Sequence, residues 1–159
     1  MKVQPPKRAT RTYVQKLVAP PEAVFPLLCP VREADWIDGW DPRLVVSASG
    51  VAELECVFVT ASEPHDAIWM ITRHEPDQGR LEMVKISPGL TACRLSIELM
   101  EVPVGSEATV TYSHTSLSAE GDAFVEGFTE AYYQKFMQDW ESRLNHYLRT
   151  GRLLQDPGT

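Results

Sequence analysis

Polar and apolar positions alternate along residues 10–18 (TRTYVQKLV), and the stretch is rich in β-branched and aromatic side chains, which predicts a first strand. Ala19-Pro20-Pro21 stops it. Pro21 suits a first helical turn, Glu22 complements the positive helix terminus, and Val24, Phe25, Leu27 and Leu28 give a short helix its apolar face. Pro26 and Pro30 keep that helix short. A second helical piece is predicted over residues 32–37, closed by Asp38-Gly39, where glycine tolerates the left-handed conformation. Six extended runs follow, at about 43–48, 52–61, 67–74, 80–86, 91–101 and 107–117. Each is bounded by turn chemistry such as Ser49-Gly50, Asp77-Gln78-Gly79 or Pro88-Gly89, so the runs read as an antiparallel meander.

One strand shows its faces clearly. Cys93, Leu95, Ile97 and Leu99 alternate with Arg94, Ser96 and Glu98, giving a buried and a wet side. The runs at Cys56-Val57-Phe58-Val59 and Ile68-Trp69-Met70-Ile71 are apolar on both faces, so the sequence leaves their inside and outside undecided.

After Ser118 the period changes. Residues 122–149 contain no proline and one glycine and predict a single long helix, about 40 Å at the usual rise. Phe124, Val125, Phe128, Ala131 and Tyr132 project on one side of it. Phe136, Met137, Trp140, Leu144, Tyr147 and Leu148 centre about 120° further round. Two readings stay open for this rotation. Either the C-terminal half covers the sheet and the N-terminal half a lid or cavity, or one stripe follows a twisted sheet. Gly151 ends the helix, and residues 155–159 are expected to fray.

Composition narrows the class. At 159 residues the chain fits one domain, with an ordered core expected at about 8–151, and 43% hydrophobic with 23% charged residues is globular. A net charge of −7 opposes polyphosphate, so no nucleic-acid partner is expected. No run approaches the roughly 20 apolar residues of a membrane span and no signal-like segment opens the chain, so the expectation is a cytoplasmic protein without membrane insertion. Cys29, Cys56 and Cys93 are odd in number and widely spaced, which reads as buried free thiols. His65, His74, His114 and His146 lack ligand spacing, and no phosphate-loop, dinucleotide or nucleophile-elbow motif occurs, so neither a metal nor a cofactor is expected.

The order strand, two short helices, six-strand meander and long terminal helix resembles the START-like (SRPBCC) superfamily, polyketide cyclase/dehydrase-like proteins of helix-grip, or Bet v-like, topology. Ala19-Pro20-Pro21-Glu22-Ala23-Val24-Phe25 is similar to a segment common after the first strand in that superfamily. Residues 25–41, with Thr115-Ser116-Leu117-Ser118 and Tyr147-Leu148-Arg149-Thr150-Gly151, resemble a bacterial branch of it without an established substrate. The resemblance implies an α+β fold with a seven-stranded curved antiparallel sheet and a cavity for a small hydrophobic partner. It does not imply a reaction. A homodimer stays open.

Candidate site residues follow from this expectation. Asp35-Trp36-Ile37-Asp38-Gly39-Trp40-Asp41 crowds two tryptophans and three carboxylates at a junction that the resemblance places near a cavity mouth. Trp36 and Trp40 are candidate aromatic walls with Asp35 or Asp41 as polar anchor, against the plainer reading that they fasten small helices to the sheet. Trp69, Phe124, Phe128, Tyr132 and Thr115 complete the candidate lining. Glu53, Glu55 and Arg73 could form a buried ion pair.

The expected function is carriage or sensing of a lipid- or polyketide-like molecule. One alternative is a cyclase, aromatase or dehydratase in which His114, with a carboxylate from Asp35, Asp41 or Glu53, does acid–base work. His114 and Thr115 point to opposite faces, so at most one meets a ligand. The second alternative is an interaction module whose cavity is filled by its own side chains.

Overall fold

The computed structural model describes residues 1–158. Its seven strands are β1 (Arg8–Leu17), β2 (Leu44–Val46), β3 (Val57–Thr60), β4 (Ala67–Glu75), β5 (Arg80–Ser87), β6 (Thr91–Glu101) and β7 (Ser106–Ser116). They form one antiparallel sheet in the order β1-β7-β6-β5-β4-β3-β2. The meander therefore runs in sequence from β2 to β7, and β1 closes against β7 through the full Arg8–Leu17 register. Helix α1 (Pro21–Val24) and two 3-10 turns at Phe25–Leu27 and Arg32–Asp35 fill the link from β1 to β2. Helices α2 (Ala119–Gly127) and α3 (Glu130–Thr150) follow the sheet.

The run expected at 52–61 forms a strand only at β3. Residues just before it are pulled into a loop in which Glu55 takes a positive φ of 66°. Glu53 holds that loop: its carboxylate accepts from the Ser49 amide at 3.2 Å, the Ser47 hydroxyl at 3.1 Å and the Ala48 amide. Arg73 pairs instead with Glu75 and Glu82 near the surface, so the suggested Glu53/Glu55–Arg73 pair does not form.

Strand registry decides the faces that alternation left ambiguous. Phe58 opposes Trp69, Trp69 opposes Lys85, Lys85 opposes Cys93, and Cys93 opposes His114, all on the inner face. Val57, Val59, Ile68 and Met70 consequently face outward, and Ile68 stays 46% exposed. The three cysteines are buried and free.

The expected single terminal helix is two. Phe128 leaves the helical path (ψ 62°) and Thr129 starts anew in extended geometry, its hydroxyl accepting the Tyr132 amide at 3.2 Å. Arg11 Nε donates to the freed Phe128 carbonyl at 3.0 Å. The restart resets the helical phase, which explains the rotated stripe. Tyr133, Met137 and Leu144 become the fully buried stripe of α3, while the candidate Tyr132 is 53% exposed.

Strand β1 lies at the sheet edge, where unpaired backbone groups invite foreign strands. Helix α3 covers it with side-chain partners: Asn145 accepts the Val18 amide and donates to the Lys16 carbonyl, both at 2.9 Å, and Glu141 accepts the Lys16 amide. Buried Gln15 donates to the Met137 carbonyl at 3.2 Å. These bonds fix α3 across one end of the sheet and leave the other end open. No helix among the described residues is long and apolar enough to cross a membrane.

A cavity between sheet and helix as the candidate functional site

Between the inner face of the sheet and the middle of α3 lies a cavity of about 450 Å³. Its floor is β5 to β7, through Leu81, Met83, Lys85, Leu95, Ile97 and Tyr112. Phe58 and Trp69 form one side wall, while Phe136, Asp139, Trp140 and Arg143 of α3 form the roof. The 3-10 segment contributes Glu33 and Ile37, and the following loop contributes Gly39, Trp40, Asp41 and Pro42. The interior is therefore open rather than filled by its own side chains.

An aromatic series defines one wall. Trp40 meets Phe58 edge-on at 6.5 Å, and Phe58 stacks on Trp69 at 5.2 Å. Each indole N–H on this wall is already bonded, Trp40 to the Pro30 carbonyl at 2.7 Å and Trp69 to the Thr60 hydroxyl at 3.0 Å. The rings thus present apolar faces with no polar demand of their own. The ammonium of Lys85 lies 4.8 Å from the Trp69 ring centroid, a cation–π distance. Burial pushes the Lys85 pKa down, and no carboxylate pairs with it among the described residues.

Glu33 is the second half-buried ionisable group. Burial alone raises its pKa from 4.5 to about 8, so the carboxyl is neutral at pH 7. It lines the cavity, and its side chain has no hydrogen bond among the described residues. The Tyr112 phenol is held far from ionisation, chiefly by burial. The indole N–H of Trp140 is buried without an acceptor. At the rim Asp139 bonds Arg143 at 2.9 Å, and Arg143 also pairs with Asp156. The Asp156 amide donates to Asp38 at 2.9 Å. Asp156, within the tail expected to fray, is thus tied to both α3 and the loop at the mouth, while Thr159 lies outside the described residues.

Among the candidates read from sequence, Trp40, Asp41 and Trp69 meet at this cavity. Trp36 does not. It is fully buried, stacks on Trp140 at 5.8 Å and donates to the Leu27 carbonyl at 2.9 Å, so it fastens the 3-10 segment beneath α3. Thr115 faces the opposite side of the sheet and accepts from Arg8 at 2.8 Å.

His114 is on the inner face but lies under α2. It packs edge-on against Phe124 and Phe128 at 4.8 and 4.7 Å and exchanges a hydrogen bond with Thr91 at 3.0 Å. Burial, and then the charge of Lys85, lower its pKa to about 4. Phe124, Phe128 and His114 form a packed aromatic cluster that Tyr112 separates from the cavity. The expected pairing of His114 with a carboxylate does not form: Asp35 bonds Arg32, Glu53 holds its loop, and Asp41 stands at the mouth.

Neither division suggested for the terminal helix holds as drawn: α2 packs on β7, and α3 packs on β1 while its middle also roofs the cavity. Sequence reasoning missed Glu33, Lys85, Tyr112, Trp140 and Arg143. For Lys85 a signal existed, because Leu81, Met83 and Lys85 share one parity of β5. Glu33 sits in a 3-10 turn, where no periodicity marks a buried side.

A curved antiparallel sheet gripping one long helix, with short helices after the first strand and a cavity between, is the helix-grip, Bet v1-like fold. Solved structures share it at low identity. DynU16, from the dynemicin biosynthetic locus, aligns with a TM-score of 0.61 and 18% identity over 90% of this chain, which spans only 48% of DynU16. A Rhodobacter sphaeroides protein aligns at 0.65 and 15% identity over 87% of this chain and 90% of its own. A Thalictrum norcoclaurine synthase variant in complex with a transition-state analogue aligns at 0.65 and 12% identity over 93% of this chain and 100% of its own. No protein-family model matches the chain, and no curated protein matches it by sequence.

Proposed function

We propose that this protein binds a small, largely apolar molecule between its sheet and α3, as a carrier or sensor. The observation that carries this reading is the open cavity of about 450 Å³, walled by Trp40, Phe58 and Trp69 and floored by aliphatic side chains. That volume lies in the range of small-molecule sites, and burying apolar ligand surface there yields roughly 25 cal/mol per Å². Solved proteins of the same fold, one of them holding a transition-state analogue, support the reading. The cyclase-like alternative built on His114 has less support, because the imidazole is packed beneath α2 and has no carboxylate beside it.

Fluorescence titration with N-phenyl-1-naphthylamine, a neutral aromatic probe, tests the proposal. Saturable one-to-one binding is expected. The double substitution Trp40→Ala with Trp69→Ala should weaken it about tenfold or more, through lost aromatic contact. Absence of saturable binding to the folded wild-type protein overturns the proposal.

A further inference from the structure

The polar groups inside the cavity share one character. Lys85 brings an ammonium without a counter-ion, and Tyr112 a phenol without a partner among the described residues. Glu33 brings a carboxyl that is neutral at pH 7. All three can donate a hydrogen bond, and the ammonium cannot accept one. The carboxylates Asp41 and Asp139 belong to the mouth, both on exposed residues, and Asp139 is engaged with Arg143. The aspartates thus sit at the rim, and each inner polar group offers a donor.

A buried cation is normally accompanied by an anion, because removing an unpaired charge from water is costly. Lys85 is held instead against the Trp69 ring, which offsets only part of that cost. A ligand anion within reach of Lys85 would complete the pair, and Tyr112 lies on the same floor. A ligand amine would meet a like charge at Lys85 and find no inner carboxylate ionised at neutral pH. A ligand without a polar end would leave every donor unpaired.

Resting on the cavity-binding reading above, we infer that the ligand is an amphipathic acid: an aromatic or branched apolar body bearing one carboxylate, seated with that anion on Lys85. The body lies along the Trp69–Phe58–Trp40 wall. The overall charge of −7 does not forbid this, because fields from exposed charges fade within about 10 Å at ordinary ionic strength while the buried contact persists.

Two probes with one skeleton separate the claims. 8-Anilinonaphthalene-1-sulfonate carries an anionic group in place of the carboxylate, and N-phenyl-1-naphthylamine is the same skeleton without it. Wild type should bind the sulfonate about tenfold more tightly or better, the expected size for a hydrogen bond to a charged group. Lys85→Met should erase that preference, so that the sulfonate and the neutral probe bind the variant equally well. Lys85→Gln serves as a second variant, with thermal melting to verify that both fold. Equal affinity for the two probes in wild type, or a preference for the sulfonate that survives in both folded variants, overturns the inference and leaves cavity binding standing. If neither probe binds wild type saturably, the cavity-binding reading falls as well.

Discussion

Glu33→Gln should be more stable than wild type at pH 8 and indistinguishable from it at pH 4. The folded-state pKa of Glu33 is raised from 4.5 to about 8, so the folded protein holds a proton that the unfolded chain releases. Stability from this group is fully present below pH 4.5 and is lost as pH rises toward 8. A tenfold difference in proton affinity between the two states is worth about 1.4 kcal/mol, which makes the wild-type deficit about 3 kcal/mol near pH 7 as an upper bound. Glutamine keeps the shape and never ionises. The gain should appear as a rise in Tm on the order of 5–10 °C at pH 7 to 8. His114, with a pKa lowered to about 4, erodes stability as pH falls below 6.5, but it is common to both proteins and cancels in the comparison. Thermal melts from pH 4 to 8 measure the difference. A constant offset across that range would mean that Glu33 ionises freely in the folded state.

Trp36→Ala should destabilise the protein by about 3–5 kcal/mol, the usual cost of removing a large buried aromatic side chain. Trp36 has no exposed surface, stacks nearly parallel on Trp140 and satisfies the Leu27 carbonyl. Its loss leaves a void under α3 and a carbonyl without its donor. Denaturant unfolding should show the midpoint falling sharply, whereas Trp40→Ala, on the half-buried ring at the cavity mouth, should fall by less. Equal stabilities for Trp36→Ala and wild type would contradict the structural role of this ring.

The two tryptophans show what the sequence could and could not convey. Their crowding in Asp35-Trp36-Ile37-Asp38-Gly39-Trp40-Asp41 marked the segment as special, and this segment does abut the cavity. Which ring faces a ligand depends on 3-10 geometry, whose side-chain phase is not visible in a 3.6-residue period. The architecture itself was legible because turn residues divide the strands cleanly and the long helix lacks proline.

The break at Phe128-Thr129 was also written in the chain, as a capping threonine followed by Glu130, but an uninterrupted apolar pattern masked it. That one missed cap misdirected Tyr132 and hid Tyr133, since a restarted helix presents a different face. For the strands apolar on both sides, only pairing to β5 and β6 decides the inward residues, because a long-range register has no local trace. Lys85 was legible by parity, whereas Glu33 becomes buried only through the approach of α3 and the sheet.

The central claim is that an open cavity between sheet and α3 receives an apolar molecule, and a crystal structure of the protein grown with N-phenyl-1-naphthylamine tests it most directly. Density for the probe's rings is expected against Trp69 and Phe58 and beneath Phe136 and Trp140, with the backbone unchanged. A cavity closed by inward movement of Trp40 and Phe136, with the probe on the outer face of the sheet or absent, would contradict it.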